Sequence, residues 1–307
     1  MHPFRFAVMA YAARSPQAWV AMVRRAEELG YDVLLIPDHL GGGLSPIPAL
    51  TAAAAATKRL RVGSFVFAND FRHPLVLARE AATLDWLSSG RFEFGIGAGW
   101  NPSDYRQLGV PYPRPGLRIE RMAEALPLIK RLLSGETVDH AGTHYRLEGA
   151  RVAPRPVQRP RPPILVGGGG PRLLRIAARE ADIIGFLPQF DPRGRPMVRQ
   201  ATEAETARKV AIVRQAAGPR FEAIELNMFV GDAGIVGSGR PVLSSLVTAA
   251  KSVATRLVAT PYVLYGTLDQ LRDQLFARRD RLGISYYSIP GHAMEAMAPL
   301  VAALAGR

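Results

Sequence analysis

The sequence predicts an α/β protein built as a single (β/α)8 barrel, and three observations carry that reading. Short apolar, β-like runs alternate with amphipathic helical stretches about eight times along the chain, the order produced when parallel strands are connected by covering helices. The run Val33-Leu34-Leu35-Ile36 is continuously apolar rather than alternating, as strands buried on both faces are. At 307 residues the chain has the length of such a barrel with insertions, since the basic unit takes roughly 250 residues.

The strands are expected at residues 4–10, 32–37, 61–67, 92–97, 163–167, 182–186, 223–230 and 285–289, with helices between them. The first unit shows the logic: Ser15 before Pro16 supplies an N-cap and a proline at the first helical position, and Gly30 supplies a stop. Trp19, Val20, Val23, Ala26, Glu27 and Leu29 then form a mostly apolar inner face. Three stretches exceed a minimal barrel. Residues 100–118 are rich in Pro and Gly, residues 134–162 hold a small hairpin at 140–152 followed by prolines, and residues 231–261 run from Gly231, Gly234, Gly237 and Gly239 into an Ala- and Ser-rich helix. All three are expected at the C-terminal face of the strands, where long βα connections form lids and substrate walls. They belong to one domain spanning 1–307, with no repeat.

Composition excludes several functions. There is no cysteine, hence no disulfide, thiolate metal site or cysteine nucleophile. The apolar stretch after Met1-His2-Pro3-Phe4-Arg5 is too short for a signal sequence, and no apolar run reaches the roughly 18 to 20 residues of a membrane span. A cytoplasmic protein with no membrane partner is expected. The net charge of +13 raises nucleic acid as a partner, but only Lys58, Lys130, Lys209 and Lys251 are lysines and the arginines are scattered along helices rather than gathered in runs. No nucleic-acid partner is expected; a field that favours anionic small molecules is. His73 stands at a helix start, His140 and His144 fall in the hairpin, and His292 begins the last helix. None has zinc spacing, so no metal is expected. No Gly-x-Ser-x-Gly elbow supports a hydrolase.

Three clusters could carry chemistry. Asp38-His39 follows the second strand, where barrels place reactive groups; a carboxylate beside an imidazole could orient a ligand and exchange a proton. A polar loop is the plain alternative. Gly95-Ile96-Gly97-Ala98-Gly99-Trp100-Asn101 ends the fourth strand, with backbone amides open to a ligand and a Trp able to wall a pocket. Its spacing is not the dinucleotide fingerprint. Val166-Gly167-Gly168-Gly169-Gly170-Pro171-Arg172 joins a strand to a helix, where free amides, the helix dipole and the Arg172 charge could hold a phosphate. A flexible turn is the alternative there.

With these residues in view, the chain resembles the bacterial luciferase-like flavin and deazaflavin oxidoreductase family over most of its length. The most specific block runs from Arg72-His73-Pro74 through Leu84-Asp85-Trp86-Leu87-Ser88-Ser89-Gly90-Arg91 to Gly97-Ala98-Gly99-Trp100-Asn101. Glu28-Leu29-Gly30-Tyr31-Asp32 leading to Asp38-His39, and Pro163 to Gly169 leading to Ala177-Ala178-Arg179-Glu180-Ala181-Asp182, support it. The resemblance implies a TIM-type barrel with a flavin or deazaflavin ring over the strand ends. It implies that Gly167, Gly168, Gly169, Gly170 and Arg172 hold the phosphate and that Gly97, Ala98, Gly99 and Trp100 touch ribityl or phosphate groups. It also implies a non-prolyl cis peptide beneath the ring, at Phe65–Val66 or a neighbour.

The Ala- and Arg-rich composition and the Asp38-His39 pair look like the branch dependent on the deazaflavin coenzyme F420, and within it like a mycobacterial-type subfamily. The several negative charges of F420 suit a basic protein. The expected activity is hydride transfer between F420 and a small organic substrate, with His39 exchanging a proton, Asp38 orienting the cofactor or His39, and Trp100 walling the pocket. The sequence departs from the sugar-phosphate dehydrogenases of the family, where an acidic residue follows the Gly-rich strand end; here stand Trp100 and Asn101, with Asp104 further on. That substrate is not carried over. The alternatives are a monooxygenase using O2 and reduced FMN, with the reduced flavin supplied by a separate reductase, and a non-catalytic F420- or flavin-binding protein. A homodimer is implied by analogy, through apolar surfaces at 48–57 and 76–86.

Overall fold

The computed structural model describes residues 1–189, 197, 200–236 and 260–307. Most of the 231–261 insertion, including Gly237, Gly239 and the expected Ala- and Ser-rich helix, lies outside the described residues.

The chain begins with β1 (Arg5–Met9), α1 (Pro16–Glu28), β2 (Val33–Ile36), α2 (Pro46–Ala56), β3 (Arg61–Ser64), β4 (Phe67–Ala68), α3 (Pro74–Leu87) and β5 (Phe92–Gly97). It continues through α4 (Pro102–Leu108), α5 (Pro115–Leu133), β6 (Val138–Ala141), β7 (Arg146–Ala150), β8 (Ile164–Gly168), α6 (Pro171–Glu180), β9 (Ile183–Phe186), α7 (Glu203–Ala217) and β10 (Glu225–Phe229). The described remainder is β11 (Asp232–Ile235), β12 (Val263–Gly266), α8 (Leu268–Leu282), β13 (Ile284–Pro290) and α9 (Met294–Leu304). The strands β1, β2, β3, β5, β8, β9, β10 and β13 pair in parallel in chain order, and β13 returns to β1, so the sheet closes. This is a (β/α)8 TIM barrel, and each expected strand overlaps one of the eight.

The expected N-terminal punctuation is present. Ser15 Oγ accepts from the Ala18 amide and Pro16 opens α1, while Trp19, Val23 and Ala26 are buried against the barrel. Side chains of the strands alternate between two cores. Outward residues such as Phe92, Phe94 and Ile96 join the layer under the helices. Inward residues Ala7, Val33, Leu35, Phe65, Leu165, Ile183 and Tyr286 fill the lumen.

At the N-terminal end of the lumen lies a buried charge network. Arg5 binds Glu93 and, at 2.6 Å, Glu225, while Arg61 reaches Glu93 at 2.8 Å. Burial pushes the Glu225 carboxyl up to about 7, against the pull of Arg5 and with the push of Glu93 and Asp32. Glu93 is also buried, yet two guanidinium groups hold its carboxyl below the usual range. The two carboxylates differ because Glu93 shares two cations and Glu225 one.

The middle of the most specific sequence block, Leu84 to Arg91, is scaffolding. The fully buried Asp85 carboxylate accepts the Val157 and Gln158 amides at 2.6 and 3.0 Å and the Gln158 side chain at 2.6 Å. Arg91 caps the carbonyls of Ala54, Leu60 and Ser88. The 134–162 insertion departs from expectation in placement. It connects the end of α5 to the start of β8 and so leaves from the N-terminal side of the barrel; it is an αβ, not a βα, connection. Only the tip of its β6–β7 hairpin climbs far enough for the Asn69 amide to donate to Tyr145 Oη at 2.8 Å.

Candidate active site

The strand ends bring Asp38-His39, Phe65-Val66, Ala98-Gly99-Trp100, Gly169-Gly170, Leu187, Phe229 and His292 to one face of the barrel. Its floor is apolar: Met9, Val66, Leu187 and Phe229 are part-exposed and pack on the inner core. The rings of Phe65 and Phe229 lie nearly parallel, 8° apart with centroids 6.4 Å apart. The Phe65–Val66 peptide is cis, the only non-prolyl cis bond among the described residues.

Two carboxylates held by neighbouring side chains flank this floor. The expectation that Asp38 orients His39 is corrected: the Asp38 carboxylate is taken by Arg72, at 2.6 and 3.3 Å, and by the Ala68 amide at 3.1 Å. Asp38 therefore ties β2 to the segment just past Val66. The partner of His39 is Asp104, whose Oδ2 lies 2.7 Å from His39 Nδ1 and whose Oδ1 accepts the Leu40 amide at 3.1 Å. Asp104 is 2% exposed, while the His39 side chain is 34% exposed. A carboxylate on Nδ1 fixes the imidazole's orientation and leaves Nε2 as the nitrogen free to exchange a proton.

Asp104 reaches this position because Asn101 caps α4, its Oδ1 accepting the Ser103 amide at 3.0 Å, and Pro102 opens the helix. The Asn-Pro start was the available sequence signal; it places Asp104 and Tyr105 on the inward face of a short helix, and both are buried.

Trp100 packs edge-on against the His39 ring, centroids 5.5 Å apart. Its backbone is pinned from below. Tyr112 Oη donates to the Trp100 carbonyl at 2.7 Å, Arg118 Nε donates to the Gly99 carbonyl at 3.1 Å, and the Arg118 guanidinium sits 4.2 Å from the Tyr112 ring centroid. Gly99 has φ +77°, and a Cβ there would overlap Tyr105 Oη, so both conformation and space demand glycine.

The other glycines have different reasons. A Cβ on Gly97 would meet Val66 Cγ2 at 2.6 Å and one on Gly167 would meet Val66 Cγ1 at 2.9 Å, so these two make room for Val66. Gly168 makes room for Leu173, and Gly169 for the Leu187 carbonyl. Only Gly170 of this run faces open space, with nothing within 4 Å of a Cβ. It caps α6 without a side-chain cap bond. Arg172, two residues on, pairs with Glu120 at 3.1 Å and is well exposed. A flat apolar floor beside an uncapped helix start fits a planar ring carrying a phosphate.

Two further groups stand near the strand ends with no site role expected from the sequence. Lys209 on α7 is fully buried, and burial lowers it to about 8. Its signal was a lysine within the stripe Thr206, Val210 and Val213, all buried. The second is His292, whose Nε2 lies 2.9 Å from Asp232 Oδ1. Among the described residues no cluster of three or more His, Cys, Asp or Glu could hold a metal, and no helix is long and apolar enough to cross a membrane.

This architecture is that of a closed (β/α)8 barrel with a candidate site at the strand ends, and the comparisons name its family. The Luciferase-like monooxygenase family model matches residues 1–226, so the chain belongs to that family. The F420-dependent glucose-6-phosphate dehydrogenase of Microbacterium testaceum is 37% identical over 165 residues, 51% of this chain and 48% of that protein. The 4-hydroxyprotoasukamycin monooxygenase of Streptomyces nodosus subsp. asukaensis is 38% identical over 135 residues, 42% of this chain and 36% of that protein. The chain thus spans about half, or less, of these relatives' lengths. The coenzyme F420 dependent tetrahydromethanopterin reductase from Methanopyrus kandleri shares the fold, with a TM-score of 0.76 over 98% of this chain and 99% of that one at 19% identity.

Proposed function

We propose that this chain is an oxidoreductase that transfers hydride between coenzyme F420 and a small organic substrate. The observation that carries it is the His39–Asp104 dyad, 2.7 Å apart, beside the apolar floor of the barrel mouth. When bound, the deazaflavin supplies the hydride acceptor or donor. The protein's share is acid–base and geometric. Asp104 holds His39 so that Nε2 gives a proton to, or takes one from, a substrate oxygen. Phe65, Val66 and Phe229 support the ring, Asp38 with Arg72 fixes the segment behind Val66, and Trp100 with His39 walls the substrate side. The Gly168–Gly170 turn and the start of α6 hold the phosphate.

The names of the dehydrogenase relatives favour F420. Oxidation of a sugar phosphate is not carried over, because Asp104, the first acidic residue after the Gly-rich end of β5, is committed to His39. The monooxygenase relative favours a second reading, a monooxygenase that uses O2 and reduced FMN, the reduced flavin coming from a separate reductase. The proposal covers one domain across residues 1–307 and a homodimer. Of the two apolar surfaces expected to pair, α3 offers exposed Val76 and Trp86 with Leu87 beside them, whereas α2 turns Ala49, Leu50, Ala53 and Ala54 inward.

The test is turnover under argon, with oxidised F420 and a panel of alcohols and with reduced F420 and a panel of carbonyl and alkene acceptors, following cofactor absorbance. Turnover supports hydride transfer. Failure of every pair, with oxygen consumption in the presence of reduced FMN, replaces it with the monooxygenase.

A further inference from the structure

Lys209 is a buried ammonium with no carboxylate at ion-pairing distance among the described residues. Its Nζ donates to the Leu187 carbonyl and to Tyr262 Oη, each at 2.9 Å. A Cβ built on Gly169 would stand 3.3 Å from that Nζ, which puts the charge directly behind the glycine turn. The turn is fixed to the same spot: the Leu187 amide donates to the Gly168 carbonyl at 3.2 Å and the Gln189 side chain to the Gly169 carbonyl at 3.0 Å.

Among the described residues none neutralises this charge. On α7, Glu205 favours the charged form, but Arg208 and burial oppose it. Tyr262, from the β12 side, is itself pushed above its usual range by burial and stays neutral. On α6, which packs against α7, Arg172 is paired with Glu120 and Glu180 with Lys130. A buried, unpaired cation is costly unless a counter-charge arrives or the proton leaves.

We propose that Lys209 is the electrostatic counter-charge for a phosphate group held at the Gly168–Gly170 turn, acting through the turn from behind. This rests on the reading of that turn as the phosphate cradle, and it adds a residue, on a different helix, that senses whether the cradle is filled. An anion on the far side of the turn favours the ammonium, so a proton is taken up when the anion binds near pH 8. Arg172, which the resemblance also implies for the cradle, is exposed and paired with Glu120.

The experiment is isothermal titration calorimetry of the full chain with F420, and with inorganic phosphate as a minimal probe, at pH 8 in two buffers of different ionisation enthalpy. The Kd for F420 is also followed from pH 7 to 9. The expected result is uptake of about half a proton at pH 8, since a group titrating near 8 is half protonated there, with affinity weakening as pH rises. Lys209→Met should abolish the uptake, flatten the pH profile and weaken binding about tenfold. Lys209→Arg should keep affinity while losing the uptake and the pH dependence, which a purely structural role would not produce. Binding of F420 without uptake, or uptake that persists in Lys209→Met, overturns the proposal and leaves the cradle standing. Failure of the unaltered chain to bind either probe overturns both.

Discussion

His39 Nδ1 and Asp104 Oδ2 stand 2.7 Å apart across 65 residues of sequence, joining the end of β2 to the helix after β5. The contact makes the imidazole a directed group rather than a freely rotating loop side chain. The same carboxylate holds the Leu40 amide, so loop and ring are fixed together.

Asp104→Asn removes the charge while keeping the shape. Turnover with F420 is expected to fall about 100-fold, within the usual range for a general acid or base, with the Kd for F420 changed by less than about twofold. His39→Ala should lose a similar factor, and the double variant no more than the worse single one, because residues acting as a unit are not additive. Fully additive losses in steady-state kinetics would show that the two residues act separately.

Gly97→Ala places a methyl 2.6 Å from Val66 Cγ2. Overpacking of this kind costs about 1–3 kcal/mol, readable by urea denaturation. Val66→Ala in the same chain should recover most of the loss, since the clash is with that side chain. An unchanged midpoint in the single variant would mean the strand end is loose enough to shift.

The Glu225 carboxyl, held at about 7 against an ordinary 4.5, binds a proton more tightly in the folded chain than in the unfolded one. Its favourable contribution is therefore fully present below about pH 4.5 and is lost as pH rises to about 7; the shift corresponds to roughly 3 kcal/mol as an upper bound. Glu225→Gln, with the proton-like group fixed, should lack this decline. The gap in unfolding free energy between variant and parent is expected to move in the variant's favour from pH 4.5 to 7.5. A constant gap would place the charge of Glu225 in full balance with Arg5.

The barrel was legible because its signals are local and repeated. Apolar runs, the Ser15-Pro16 cap and strand-length segments each needed only neighbouring residues. The ends of strands were legible as sites for the same reason, through Asp38-His39 and the glycine runs. What was not legible depends on long-range contacts. Adjacent Asp38 and His39 suggested a pair, yet the backbone sends Asp38 to Arg72 and His39 to Asp104. The glycine runs read as open cradles, whereas at Gly97, Gly167, Gly168 and Gly169 the missing side chain is replaced by Val66, Leu173 and Leu187. The 134–162 insertion could be placed at one end of the barrel or the other only once α5 was known to precede it.

The most direct measurement is fluorescence titration of the purified, cofactor-free chain with F420 and, separately, with FMN. The expected result is micromolar or tighter binding of F420, with FMN weaker by at least tenfold. Preference for FMN would contradict the F420 assignment, and binding of neither would remove the barrel mouth as a flavin-type site.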